Sequence, residues 1–153
     1  MIKIKNIIKT FDGTPVLRGI STIFDKGKTN LIIGQSGSGK TVFLKCLLGL
    51  VKTDSGHIEF DNKVFVAMSI KERSVLRQEI GMVFQGSALF DSMTVEENIM
   101  FPMQMFTNNE EDEIRDRVNQ VIKRVNLVNA NEKYPDEISG GMKKRVAIAR
   151  AIV

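Results

Sequence analysis

The sequence predicts an α/β fold in which a short apolar strand, a glycine-rich loop and an apolar helix follow one another directly. Residues 29–33 are Thr-Asn-Leu-Ile-Ile, residues 34–39 include three glycines, and residues 40–48 are again mainly apolar. In this order, a loop can wrap around an anion at the N-terminus of the helix that follows it. The 153 residues are enough for one globular domain of ordinary size.

Alternating and periodic apolar residues define the other elements. Besides the segment at 29–33, strands are predicted at 1–11, 16–24, 57–60 and 80–84. Helices are predicted at 70–79, from residue 94 onward, at 110–127 and from Ser139 to the end of the chain. The helix at 110–127 carries the clearest apolar stripe, and we expect Asn108 or Asn109 to cap it.

Composition narrows the function classes. The chain is 42% hydrophobic and 26% charged, with a net charge of +4 and one cysteine, Cys46. A single cysteine excludes an internal disulfide and favours a reducing compartment, and no apolar run approaches the roughly 18 residues of a membrane span. The only tight basic group, at residues 143–145, is typical of a solvated helix face. We expect a cytoplasmic protein that binds no nucleic acid and reaches a membrane only through a partner.

The glycine-rich loop fits the pattern G-x-x-x-x-G-K-[ST] of a phosphate-binding P-loop. Its residues are Gly34, Gln35, Ser36, Gly37, Ser38, Gly39, Lys40 and Thr41. Glycines let successive N–H groups point at phosphate oxygens, and the helix N-terminus adds about half a positive charge. Lys40 is predicted to reach the β- and γ-phosphates of ATP, and the Thr41 hydroxyl to bind Mg²⁺. The motif alone is also compatible with a GTPase or a small-molecule kinase.

A second small-residue loop makes the chain resemble the ATP-binding cassette (ABC) ATPases. Ser139, Gly140 and Gly141 lie between Ile138 and Met142, and the segment is similar to the family signature Leu-Ser-Gly-Gly-Gln. The sequence differs at both ends, and Met142 removes the amide of the usual glutamine. The resemblance implies that this helix end contacts the γ-phosphate of ATP held by a second subunit in a head-to-tail dimer. An ordinary turn before a helix is the alternative interpretation.

Two further positions extend the resemblance to nearly the whole chain. Gln85 follows an apolar segment, as in the family's Q-loop, which implies a ligand for Mg²⁺ and a role in catalysis beside Lys40. Phe11 lies where the family stacks an aromatic ring on adenine. The alternatives are a plain polar residue at a strand end for Gln85 and a core-facing ring for Phe11.

The resemblance also implies a domain organisation. A nucleotide-binding core with an antiparallel β-subdomain and the P-loop would occupy residues 1–85, and a helical subdomain residues 86–142. Residues 143–153 would begin the helix that returns to the core. The family's next elements are a strand ending in Asp-Glu and a later histidine, and we expect them beyond Val153. The catalytic Glu is therefore not among these residues, and we expect the 153-residue chain alone to be poorly stable and inactive.

The segment from Gly86 to Pro102 resembles most closely the ATPases of Mla-type phospholipid transporters, which serve proteins of the mammalian-cell-entry class. That resemblance implies an ATPase peripheral to the inner membrane, powering lipid transport and contacting a membrane permease through residues 86–105. Flexible methionines such as Met93 and Met103 suit a groove for a partner helix, but they also suit internal packing.

Three other functions compete with a lipid-transport ATPase. An ABC ATPase could move another substrate, such as an amino acid or a lipoprotein. A non-catalytic module would bind ATP through Lys40 and Thr41 without hydrolysing it. An ABC ATPase acting on DNA or ribosomes is disfavoured, because the stretch between the P-loop and Ser139 is short and shows no sustained heptads.

Overall fold

The computed structural model describes all 153 residues, and they divide into two compact units. Unit 1 comprises Met1–Arg77 and unit 2 comprises Gln78–Val153. Each unit has its own buried core. The functional division predicted from the sequence, with boundaries after residues 85 and 142, stays a prediction.

Unit 1 is built on a four-stranded antiparallel sheet. Its strands are β1 (Ile2–Phe11), β2 (Thr14–Phe24), β3 (Ser55–Phe60) and β4 (Lys63–Val64), in the order β2-β1-β3-β4. The turn between β1 and β2 has Asp12 and Gly13 in the left-handed region, at φ 47° and 77°, which suits a tight hairpin. The predicted strands at 1–11, 16–24 and 57–60 are therefore confirmed, with small differences at their ends.

Two helices accompany this sheet, α1 (Lys40–Leu47) and α2 (Ile70–Gln78), as the sequence predicts. The sheet and α1 share an apolar core, in which the rings of Phe24 and Phe43 meet edge to face at 6.4 Å. Cys46 is buried in this core, and its burial raises the pKa of the thiol. The most buried residues of unit 1 are Ile4, Ile7, Leu17, Phe43, Cys46, Leu47, Ile58, Phe60, Phe65 and Met68.

Arginine side chains, and not apolar burial, attach α2 to unit 1. No residue of α2 is buried. Arg77 donates hydrogen bonds to the carbonyl oxygens of Leu48 and Gly49, just past the end of α1, at 3.0 and 3.1 Å. Arg73 donates to the carbonyls of Phe65 and Val66 at 3.1 and 2.8 Å. Charged donors thus satisfy carbonyl groups that regular structure leaves free.

The predicted strands at residues 29–33 and 80–84 are wrong for this structure. Both segments are irregular, and the side chains of Leu31 and Ile33 are 83% and 82% exposed. A strand exists only where a neighbouring strand accepts and donates its backbone hydrogen bonds. The four paired strands all belong to the antiparallel sheet, so neither segment has a partner.

Unit 2 is helical. It contains α3 (Val95–Phe106), α4 (Glu111–Arg124) and α5 (Gly140–Ile152), which confirms the three helices predicted here. The apolar stripe of α4 is inward-facing, and its members meet the buried faces of α3 and α5. The core consists of Val95, Ile99, Met100, Ile114, Val118, Val121, Ile122, Leu127, Ala130, Ile138, Val146 and Ala149.

The helix starts of unit 2 use different capping chemistry. Thr94 and Glu97 form a reciprocal capping box at α3, with Thr94 Oγ1 accepting from the Glu97 N–H at 3.2 Å. The predicted asparagine cap of α4 is wrong, since Glu110 occupies the cap position and makes no capping hydrogen bond. Acidic residues in the first turn of α4 compensate through the helix dipole.

None of the five helices is long and apolar enough to cross a bilayer.

Replacing Ile99 by alanine tests the core of unit 2. Ile99 is completely buried, so its truncation leaves a cavity and should lower the free energy of unfolding by about 2–5 kcal/mol. Urea unfolding followed by circular dichroism measures this change. Ile70→Ala is the matched control, because Ile70 is 88% exposed and its truncation should change stability by no more than ~0.5 kcal/mol. Equal losses in both variants would contradict this core.

Candidate functional site: a phosphate-binding loop and a second helix end

The P-loop is an exposed turn that leads directly into α1. Residues 34–38 are exposed, and the Ser38 N–H donates to the Gln35 carbonyl at 3.2 Å. Gly37 and Gly39 have φ values of 79° and 91°, a region in which only glycine is free of steric cost. Two of the three glycines in the loop are thus required by its backbone conformation.

Gly39 is also required by its close approach to β2. A Cβ atom at this position would lie 3.0 Å from Val16 Cγ1, 3.1 Å from Leu17 Cδ2 and 3.2 Å from the Val16 carbonyl oxygen. Leu17 is buried in the core of unit 1 and cannot readily move aside. The contact fixes the loop, and with it the start of α1, against the sheet.

The Lys40 ammonium lies inside the loop. Lys40 Nζ donates to the carbonyl oxygens of Gly34 and Gln35, both at 2.8 Å. Thr41, the next residue, is exposed on the first turn of α1. The structure therefore places the predicted lysine charge in the loop and the predicted hydroxyl on the exposed first turn of the adjoining helix.

The N-terminus of α1 is electrostatically suited to an anion. Gly39 caps it without a side-chain hydrogen bond, and its first turn contains no acidic residue. The free N–H groups, the helix dipole and the Lys40 charge add up to a positive site without an internal counter-charge. A triphosphate fits this set of donors.

Mg²⁺ fits the site only together with a phosphate ligand. The chain contains no cluster of three or more His, Cys, Asp or Glu residues that could hold a metal ion. Mg²⁺ in nucleotide sites is held by one or two protein oxygens, phosphate oxygens and water. The Thr41 hydroxyl is such an oxygen beside the loop. Gln85 belongs to unit 2 and is exposed there, and its role as a magnesium ligand stays a prediction.

Phe11 is the last residue of β1, and its ring is 42% exposed. Lys9 Nζ lies over this ring, 5.1 Å from its centre, and also contacts Asp54 Oδ1 at 2.7 Å. This hydrogen bond, with a second from the Thr10 N–H at 2.6 Å, lowers the pKa of the Asp54 carboxyl. The ring is thus partly accessible, as stacking on a base requires.

The second loop lies in unit 2 at the start of α5. Ser139 caps the helix, and its Oγ accepts a hydrogen bond from the Met142 N–H at 3.3 Å. Gly140 and Gly141 are exposed, and a Cβ on Gly140 would meet nothing within 4 Å. As at α1, the first turn contains no acidic residue. This helix end is open to an external anion.

The structural roles of two residues of unit 2, Asn98 and Arg150, were not predicted from the sequence. Asn98 is completely buried, and its side chain makes hydrogen bonds to residues 90, 93 and 94. Arg150, near the end of α5, donates to the carbonyls of Ser87 and Ala88. The available signal was the polar Asn98 at a position where the helical period demands an apolar residue.

Comparison with known proteins identifies the class of this site. The family model described as ABC transporter matches residues 17–153, so the chain belongs to the ABC transporter family. Its fold is that of the ABC ATPases, a P-loop domain with an antiparallel sheet and helices. The dimeric structure of MJ0796, a bacterial ABC transporter cassette, aligns with a TM-score of 0.90 at 31% identity, over 99% of this chain and 69% of that chain.

Relatives of known sequence agree with this family. The chain is 38% identical over 152 residues to the probable ribonucleotide transport ATP-binding protein mkl of Mycobacterium leprae. It is 40% identical over 152 residues to the methionine import ATP-binding protein MetN of Clostridium tetani. Both alignments cover 99% of this chain but only 44% and 48% of those proteins. The chain thus spans less than half the length of these relatives.

Gly39→Ala tests the geometry of the loop. The added methyl group meets β2 in a backbone conformation that disfavours it, and we expect Mg-ATP binding to weaken by about 5- to 150-fold, the range that roughly 1–3 kcal/mol of strain produces. Titration calorimetry measures the affinity. Gly86→Ala is the control, because a Cβ there would meet nothing within 4 Å. Unchanged affinity in Gly39→Ala would show that the loop conformation does not matter for binding.

Proposed function

We propose that this chain is the nucleotide-binding part of an ATP-hydrolysing subunit that drives a membrane transporter. The observation that carries the proposal is the Lys40 ammonium inside a glycine loop, at a helix N-terminus that has no side-chain capping hydrogen bond. Family membership supports it, since ABC ATPases as a class bind ATP with Mg²⁺. An unneutralised cation beside free N–H groups is the arrangement that a triphosphate requires.

Each predicted residue has a defined task in this proposal. Bound Mg-ATP supplies the phosphoryl group that is transferred to water. The loop amides and Lys40 orient the β- and γ-phosphates, and Lys40 stabilises the charge on the γ-phosphoryl oxygens. The Thr41 hydroxyl would help to hold Mg²⁺, and the Phe11 ring would stack on adenine. Gln85 is assigned to Mg²⁺ by the resemblance of its segment to the Q-loop. That the 153-residue chain alone lacks ATPase activity stays a prediction.

A second copy of the subunit is the first proposed partner. The free N-terminus of α5, with Ser139, Gly140 and Gly141, would contact the γ-phosphate of ATP bound to the other copy. This end offers N–H donors without an acidic neighbour in its first turn. The solved cassette MJ0796 is dimeric and has also been observed with ADP and Pi, which supports a dimeric arrangement here.

A membrane permease is the second proposed partner, contacted through residues 86–105 at the cytoplasmic face of the cell membrane. Several apolar side chains in this part of unit 2 are open to solvent, among them Phe90 at 40% and Met105 at 59% exposure. Exposed aromatic and methionine side chains are typical of grooves that receive a partner helix. Others in the same segment, such as Val95 and Ile99, serve only the internal core.

For the cargo, we propose a phospholipid, because the segment from Gly86 to Pro102 resembles the ATPases of Mla-type phospholipid transporters. The two relatives described above are named for ribonucleotide transport and methionine import, and neither name includes a phospholipid. A small polar solute is therefore the competing cargo. Reconstitution of the full-length protein with its permease in vesicles, with phospholipid transfer and uptake of methionine and ribonucleotides measured side by side, distinguishes them.

Lys40→Ala tests the ATPase itself. Removing the ammonium should lower ATP hydrolysis and ATP-driven transport by the full-length protein and its permease at least about a hundredfold, because a charged donor to the reacting phosphate is lost. Phosphate release and vesicle transport are the two measurements. Lys28→Ala, an exposed lysine in the segment before the loop, is the control and should behave like the unmodified protein. Undiminished hydrolysis in Lys40→Ala would refute an ATPase that works through this loop.

A further inference from the structure

Asn98 organises the irregular segment that precedes α3. Its Oδ1 accepts a hydrogen bond from the Phe90 N–H at 2.8 Å. Its Nδ2 lies within hydrogen-bond distance of three carbonyl oxygens, those of Phe90 at 3.0 Å, Met93 at 3.0 Å and Thr94 at 2.9 Å. The Phe90 and Thr94 carbonyls also accept from the backbone N–H groups of Met93 and Asn98, so the buried Asn98 amide adds partners to a turn that backbone hydrogen bonds already begin to define.

Arg150, which lies on α5, makes hydrogen bonds to the same segment. Its Nη2 donates to the carbonyl oxygens of Ser87 and Ala88 at 3.0 and 2.8 Å, and its Nη1 lies 3.5 Å from Asn98 Oδ1. The guanidinium carbon lies 5.6 Å from the centre of the Phe90 ring. Ser87 and Ala88 are both in the left-handed region, at φ 64° and 48°, a conformation that costs energy for residues other than glycine.

The Arg150 contacts place a charged group against neutral oxygens. The guanidinium forms no salt bridge, and its acceptors are neutral carbonyl and amide oxygens. Its burial lowers the pKa of the guanidinium, which shows that the charge is partly withdrawn from water at a cost. An apolar side chain would avoid this cost but could not hold two carbonyl groups in a strained turn.

Helix α5 connects the Arg150 contacts to the N-terminus that carries Ser139, Gly140 and Gly141, the signature end of the helix. Ser139 caps α5 at its start, and Arg150 lies about 16 Å further along it at the usual helical rise. The backbone of α5 between them is regular, and Val146 and Ala149 anchor it in the core of unit 2. A displacement of residues 87–94 therefore acts on a rigid element whose other end is the proposed nucleotide contact.

We propose that Asn98 and Arg150 are positioning residues that hold residues 87–94 in one preset shape for the membrane permease, and that Arg150 couples this surface to the signature end of α5. This inference rests on the proposed function, because it presupposes a permease that stimulates ATP hydrolysis. Neither residue is assigned a nucleotide contact in the proposed function. Both act through the backbone that they hold.

Arg150→Met is the primary test, made in the full-length protein with and without its permease. Methionine keeps much of the apolar length of the side chain but removes every donor. Arg150→Lys keeps the charge with a single donor group, and Arg124→Met is the matched control, since Arg124 is exposed at the end of α4. Two quantities are measured: hydrogen exchange of the Ser87, Phe90 and Met93 amides, and the ratio of ATPase rates with and without permease.

We expect Arg150→Met to speed exchange of these three amides and to lower the stimulation ratio, each by about tenfold, the factor that one hydrogen bond to a charged group typically contributes. Exchange in α4, at residues 114–122, should not change. Arg150→Lys should recover part of both effects, and Arg124→Met should match the unmodified protein. This combination supports positioning, because a general loss of stability would speed exchange in α4 as well.

Two results would overturn the inference. If the amides of Ser87, Phe90 and Met93 exchange at the same rate in Arg150→Met and Arg124→Met, Arg150 does not hold the segment. Equal loss of the basal and the stimulated ATPase rates would show that Arg150 supports the fold alone. If the unmodified protein hydrolyses no ATP, or is not stimulated by its permease, the proposed function fails and the coupling role with it, while the exchange measurement still decides whether Arg150 holds the segment.

Discussion

The proposed function depends on a difference in charge between helix N-termini: some carry acidic residues in the first turn and others do not. Three of the five helices begin with acidic residues in the first turn, which neutralise the positive end of the helix dipole. The other two, α1 and α5, have none. These are the helices that follow the two glycine-containing loops. Acidic residues thus neutralise the N-terminal dipole charge of α2, α3 and α4. The N-termini of α1 and α5, which the proposed function assigns to phosphate binding, keep their positive charge.

Local chemistry made part of this structure predictable from the sequence. The P-loop requires glycine at fixed positions, and the φ values of Gly37 and Gly39 show why. The helix at α5 was predictable from Ser139, because a serine cap followed by apolar residues at helical spacing is a strong start signal. The hairpin of β1 and β2 was predictable from alternation and from the turn residues between them.

What the sequence could not predict depends on distant partners. Residues 29–33 have the composition of a strand, but pairing decides whether such a segment becomes one, and pairing is not a local property. Asn98 and Arg150 are 52 residues apart in sequence, so their shared role appears only in three dimensions. Gln85 and Phe11 could be identified as candidate site residues from the sequence. Their contacts with a nucleotide remain proposals because they depend on a bound ligand.

Fold and site support the ATPase class more strongly than they support any cargo. A phosphate loop performs the same task whatever the transporter moves, so similarity in that region carries no information about the substrate. The names of the two relatives, which concern ribonucleotide and methionine transport, show how widely one cassette architecture is used. In the proposed function the permease selects the cargo, so related chains should differ at the surface of unit 2 that is proposed to contact it.

The attachment of α2 has a consequence for how the chain opens. A helix that buries none of its residues and is held through Arg73 and Arg77 has little apolar area to lose when it detaches. It should therefore fray before either core does, and both arginines are cleavage points for trypsin. Brief digestion would cut the polypeptide within this helix while the buried Phe43 and Ile99 remain enclosed. Among the five helices, α2 is thus the one that trypsin should cut first.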